Sequence, residues 1–219
     1  MAIQPSAPVP EPAILIKNTM PDLANTEAAT AASQDTPHKP HIPGELGIWL
    51  FVAGDLIVFA VFFILIAQGH REHAELFEQS RAKLDVWIGA FNTLLLLTAS
   101  WFVASGVDRR RRNLAAAYHF PAAIACGLGF IGNKIFEWHG KISLGLTLET
   151  NDFFMYFFVF TGIHLLHVLV GLAVLCVMTA IARNRALSTS QIRSLESGAT
   201  FWHLVDLLWV VLFALLYLL

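Results

Sequence analysis

The 219 residues are 56% hydrophobic and only 14% charged, with a mean hydropathy of +0.62. A soluble domain carries about a quarter of its residues as charged side chains, so this composition indicates a membrane protein. The net charge of −2 gives no reason to expect nucleic acid as a partner, and Cys126 and Cys176, each inside an apolar run, have neither disulfide nor metal-site spacing.

Residues 1–43 hold eight of the nine prolines among Ala, Ser and Thr. Such a stretch buries too little apolar area to offset the entropy of ordering, which predicts a disordered tail. Its one apolar patch, residues 13–16, is too short for a signal peptide and lacks a basic segment before it.

From residue 44 to 219 the pattern predicts one membrane domain of the all-α class. Five apolar runs, at about 46–67, 87–107, 119–138, 153–182 and 199–218, each approach the ~20 residues a helix needs to cross a ~30 Å hydrocarbon core. The fourth is long enough to tilt or protrude, and Thr150, Asn151 and Asp152 are good capping residues at its start. The runs lack the strict apolar/polar alternation of barrel strands, so the expected architecture is a bundle of five transmembrane helices.

Lys and Arg placement predicts the orientation. Arg109, Arg110, Arg111 and Arg112 follow the second run, Arg183, Arg185 and Arg193 follow the fourth, and Lys17 and Lys39 lie in the tail, nine basic residues on one side. The other side has four, Arg71, Arg81, Lys83 and Lys141. The positive-inside rule places the N-terminus in the cytoplasm and the C-terminus outside, with the arginine run as a topology anchor.

Gly127-Leu128-Gly129-Phe130-Ile131-Gly132 matches the dinucleotide-binding pattern in letters alone, because that pattern needs a strand before it and an accessible helix start. Here the glycines lie inside an apolar run, where small residues let helices approach. Ala125 with Gly129, and Ser100 with Ala104, are the expected contact pairs.

The intramembrane polar groups are more informative: Asp55, Asn92, Asn133, Lys134, Glu137, His164, His167, His203 and Asp206. A charge near the bilayer centre costs from roughly 3 to more than 10 kcal/mol, so such groups face protein and have partners. At 1.5 Å per residue, Asp55 lies ~14 Å from the inner end, His203 and Asp206 ~6 to 11 Å from it, and His164 and His167 near the middle. Lys134 and Glu137 reach the outer end of the third run and can pair at i, i+3.

Glu137 and Asp206 differ by ~15 Å in depth, which rules out one metal site holding them all. His164, His167, His203 and Asp206 are expected to bond neighbouring helices, with haem ligation by two facing histidines as the rival reading. Asp55 has no basic neighbour in its own helix, so its expected partner is His203 or an inner arginine. It is the foremost candidate for a proton-linked carboxyl. Asp206 is expected to form a buried polar pair.

In order along the chain, several motifs resemble subunit III of the haem-copper respiratory oxidases. They are Gly47-Ile48-Trp49-Leu50-Phe51 leading to Asp55 and Phe59, then Phe91-Asn92-Thr93-Leu94-Leu95-Leu96-Leu97, then Phe136-Glu137-Trp138. Thr161-Gly162-Ile163-His164-Leu165-Leu166-His167 and Phe201-Trp202-His203-Leu204-Val205-Asp206-Leu207-Leu208-Trp209 complete the set. The wording is closest to short, five-helix subunits III, the NorE-like branch associated with nitric oxide reductase included.

That resemblance implies a non-catalytic accessory subunit, without an active site or redox cofactor of its own, packed on catalytic subunit I of a bacterial inner-membrane cytochrome c or quinol oxidase, or a related reductase. Haem and copper belong to that partner. The family's seven-helix members hold phospholipid in a cleft between two bundles, and the two helices missing here bear on that cleft. The resemblance further implies support of proton uptake, with Asp55 at the place of the family's reactive buried acid, and packing roles for Asn92, Trp202 and Trp209. The rival functions are a small haem-b electron-transfer protein and a free-standing proton or solute transporter.

Overall fold

The computed structural model describes residues 46–184 and 186–219; the tail predicted over residues 1–43 lies outside them. The described residues form six α-helices and one π-helical turn. They are α1 (Leu46–Glu72), α2 (Ala74–Arg81), α3 (Val86–Arg111), α4 (His119–Ser143), α5 (Asp152–Ala182) and α6 (Thr189–Phe213), which runs into the π turn Ala214–Leu218.

The helix ends follow local chemistry. Asp85 caps α3 by accepting from the Trp87 amide at 2.9 Å, and Asn151 caps α5 by accepting from the Phe154 amide at 3.0 Å. Ser188 and Gln191 form a reciprocal capping box at the start of α6. At the end of α3, Asn113 takes a positive φ of 57°. Its amide bonds the Arg110 carbonyl and the Leu114 amide bonds that of Arg109, the Schellman arrangement that stops a helix and turns the chain.

Four helices, α1, α3, α5 and α6 with its π turn, are long and apolar enough to cross a membrane. Five crossings were expected. The third predicted run does form a helix, the 25-residue α4, but its glycines with Asn133, Lys134 and Glu137 dilute its apolarity. The helices also exceed the predicted runs: α1 reaches Glu72 and α6 begins at Thr189, so Arg193 lies within a helix rather than in a connector. The short α2 was not foreseen. It is held to α5 by Phe77 against Phe153 and by a 2.9 Å bond from Asn151 to the Ser80 hydroxyl.

The core lies where α3, α4, α5 and α6 meet, with α1 at the margin against α5 and α6. Trp202 of α6 is fully buried, and two glycines make room for its ring. A Cβ on Gly171 of α5 would come within 2.9 Å of its ring, and one on Gly127 of α4 within 3.1 Å. The close approach in α4 therefore uses Gly127; Ala125 and Gly129, the pair predicted from small-residue spacing, are exposed. In α3 the buried face runs through Ala99 and Val103 instead of Ser100 and Ala104. The exterior is apolar, with Leu50, Ile57, Trp87, Leu94, Trp101 and Leu166 all exposed. Such a surface suits lipid or a membrane partner, not water.

Candidate functional site

The predicted polar residues separate into distinct clusters. The most deeply buried joins Lys134 and Glu137 of α4 to Tyr217 of the π turn. Lys134 Nζ donates to Glu137 Oε2 and to the Tyr217 hydroxyl, both at 2.8 Å, and that hydroxyl donates to Glu137 Oε1 at 2.7 Å. The Lys134 and Glu137 side chains are 0% exposed. The ammonium also lies over the rings of Phe157 at 4.7 Å, Trp209 at 4.9 Å and Tyr217 at 5.3 Å. Charge pairing, hydrogen bonds and ring quadrupoles together offset its desolvation. The i, i+3 pairing was legible from spacing, whereas the third member, Tyr217, was missed.

A second cluster lies between α1 and α5. His167 Nε2 stands 3.3 Å from Asp55 Oδ1, while His167 Nδ1 bonds the Ile163 carbonyl at 2.8 Å. That carbonyl accepts only a proton, so Nδ1 carries one and fixes the ring's direction toward Asp55. Phe59, one turn along α1, meets the same imidazole edge-on at 5.4 Å. Asp55 therefore pairs with His167, not with His203 or an inner arginine as expected. Its Oδ2 has no hydrogen-bond partner among the described residues. Unlike the sealed lysine cluster, this pair retains exposure, 13% for the Asp55 side chain and 18% for that of His167.

In the terminal motif, Asp206 does not form the buried polar pair expected of it. His203 Nδ1 is hydrogen-bonded to the Ser100 hydroxyl of α3, and the imidazole is otherwise exposed. Asp206 is buried near Ser100, with both carboxyl oxygens unpartnered among the described residues.

His164 is fully buried, its ring 5.2 Å from that of Trp209 and 5.7 Å from that of Phe130, with neither nitrogen bonded among the described residues. Asn92 accepts from Asn133 at 2.8 Å, and Trp209 donates to Thr93 at 3.0 Å. Asn92 and Trp209 thus tie α3 to α4 and α6, while Trp202 packs through its ring. Among the described residues, no three His, Cys, Asp or Glu side chains gather in a group able to hold a metal.

Two further links were missed. Arg111 pairs with buried Glu196 at 2.7 Å, joining α3 to α6. Arg110, itself only 4% exposed, donates to the Leu114 carbonyl at 3.1 Å and the Asn184 carbonyl at 2.6 Å, tying the α3–α4 connector to the one after α5. The arginine run therefore has structural contacts beyond its effect on topology.

Taken together, the clusters comprise a partly exposed carboxyl–imidazole pair at Asp55 and His167, and helix cross-links elsewhere. The family model for cytochrome c oxidase subunit III matches residues 38–219. The chain belongs to that family. Among its relatives, cytochrome c oxidase subunit 3 of Thermostichus vulcanus is 29% identical over 199 residues, covering 87% of this chain and 94% of the relative. Cytochrome c oxidase subunit 3 of Bacillus sp. (strain PS3) is 28% identical, covering 79% and 84%. Quinol oxidase subunit 3 of Bacillus subtilis (strain 168) is likewise 28% identical, covering 79% and 85%. Family membership and the apolar helices make this a multi-pass bacterial membrane protein, an accessory subunit III of a haem-copper oxidase.

Proposed function

We propose that this subunit III packs on the catalytic subunit of a bacterial terminal oxidase, binds no redox cofactor of its own, and supports proton uptake through Asp55. The observation that carries the proton role is the contrast between the two carboxyl clusters. Glu137 is sealed and bonded through both oxygens, whereas Asp55 has one oxygen free, an imidazole beside it and partial exposure. A carboxyl–imidazole pair so placed can accept a proton and release it.

In this reading α4 is a fifth crossing. Its 25 residues span about 37 Å at the helical rise, and its most costly groups are neutralised inside the bundle by Tyr217 and by each other. Basic residues then place the N-terminus in the cytoplasm and the C-terminus outside. Haem and copper reside in the partner, and lipid covers what the partner leaves of the exposed apolar surface.

Purification in mild detergent tests the assignment. The chain co-isolates with a haem-copper subunit in fixed stoichiometry; consistent isolation without one refutes it. Asp55→Asn leaves that complex assembled while its turnover decays faster during sustained catalysis, and wild-type rates and inactivation kinetics would reduce Asp55 to a packing role.

A further inference from the structure

At the arginine-rich end of the bundle, a cavity of about 400 Å³ opens where the end of α3, the start of α4 and the end of α5 converge. Arg110, Asn113, Arg183 and Asn184 line it with residues 115–117, while Phe120 and Ala182 supply apolar wall. It is remote in character from the Asp55–His167 pair: its lining contains two guanidinium groups and no carboxylate.

The charge of Arg110 is the feature that points to a ligand. This side chain is more than nine-tenths buried, and its bonded partners are neutral carbonyls, those of Leu114 and Asn184. Its Nε is buried without a partner among the described residues. The described carboxylates at this end are engaged elsewhere, Asp108 by Arg112 and Glu196 by Arg111. A buried guanidinium without an anion is costly, and its planar set of donors matches an oxyanion. Arg183 on the exposed rim adds a second positive charge. The start of α4 faces the same space with no capping side chain from Tyr118, so the positive end of a 25-residue helix adds to the field.

We propose that this cavity binds a phosphate-type oxyanion, the chemistry shared by an anionic phospholipid headgroup and free inorganic phosphate. Arg110 provides the fixed guanidinium, Arg183 the rim charge and Asn113 and Asn184 neutral donors, while the apolar wall accommodates the first carbons of a lipid. Basic pockets between membrane helices are established headgroup sites in general. The lipid arm of the test relies on this end of the bundle lying at the inner membrane surface; the phosphate arm does not rely on the subunit reading.

The experiment uses the purified full-length chain in its complex, first delipidated in detergent and titrated with inorganic phosphate against sulfate-free chloride of equal ionic strength, then placed in nanodiscs of phosphatidylcholine with or without phosphatidylglycerol. Thermal midpoint and native mass spectrometry of retained lipid are read. A rise with phosphate identifies the free anion; retention of phosphatidylglycerol with no response to phosphate identifies the headgroup. In either case Arg183→Gln weakens binding about tenfold, the loss expected of one charge-assisted contact. Arg110→Gln abolishes it, and because that variant also loses two loop contacts, Arg183→Gln keeps the test decisive if Arg110→Gln does not fold. Absence of response to both probes, or binding that Arg183→Gln leaves unchanged, overturns the proposal.

Discussion

Removing the Glu137 carboxylate probes the most deeply buried polar cluster. Glu137→Ala leaves the Lys134 ammonium at zero exposure, with three aromatic rings around it, one of them the Tyr217 phenol, but no counter-charge. Breaking a buried ion pair from one side costs about 3–5 kcal/mol, because the surviving charge stays desolvated. Tyr217→Phe removes one hydrogen bond from each partner yet leaves the pair intact, so its cost stays near 1–2 kcal/mol. The double replacement Lys134→Met with Glu137→Leu removes both charges for apolar volume and is close to neutral. For a chain of this length the Glu137→Ala loss corresponds to a fall of about 6–20 °C in thermal midpoint. Midpoints of the four proteins, measured in one detergent, check the ranking. Equal losses for Glu137→Ala and Tyr217→Phe, or a double variant less stable than Glu137→Ala, would refute the argument that unpaired charge dominates.

Gly171→Ala places a methyl 2.9 Å from the Trp202 ring, which Gly127 also approaches, so thermal unfolding should show a loss of about 1–3 kcal/mol. Gly132→Ala meets no atom within 4 Å and should be neutral or stabilising by up to about 1 kcal/mol; similar losses for both would remove the close approach to the indole as the cause. Asp206→Leu, which deletes a buried acid beside a Ser100 hydroxyl that is itself bonded to His203, should leave the midpoint of the isolated chain unchanged or raised, and a clear fall would show that Ser100 donates to Asp206. Asp85→Ala removes the cap on α3 and should cost about 1 kcal/mol in the same measurement.

How far the sequence was legible differs between the two levels. Helices in the apolar runs follow from length and composition, and the start of α5 at Asn151 follows from capping chemistry, whereas the caps Asp85 and Ser188 were not singled out and α6 begins ten residues before the predicted run. Depth along a helix was also readable, yet it was compared wrongly. A position ~14 Å from the inner end of a ~30 Å core is already the middle, level with His164 and His167, so Asp55 should have been matched to them before His203. Depth does not supply azimuth, and choosing His167 over His164 required the packing of α1 on α5. The same limit hid Gly127, since several small residues in α4 share a spacing and only the position of Trp202 selects among them.

Tyr217 shows which signal could have helped. An ammonium has three protons to place, and Glu137 at i+3 does not absorb them all, so full burial of Lys134 demands another acceptor. Of the three tyrosines, Tyr156 and Tyr217 both fall at the end of the bundle where Glu137 lies, and the sequence offers no ground for choosing. The fold decides by turning the chain end inward as a π turn, which brings the Tyr217 hydroxyl onto both charges. Satisfied in this way, the Lys134 cluster makes no demand on another subunit. Asp55 Oδ2, the Asp206 carboxyl and Arg110 Nε are different: they remain unpartnered among the described residues, at separate places in the bundle. Other buried atoms share that condition, both nitrogens of His164 included; in carboxyl and guanidinium groups such as these three, bound water, an anion or a neighbouring subunit has free energy to contribute.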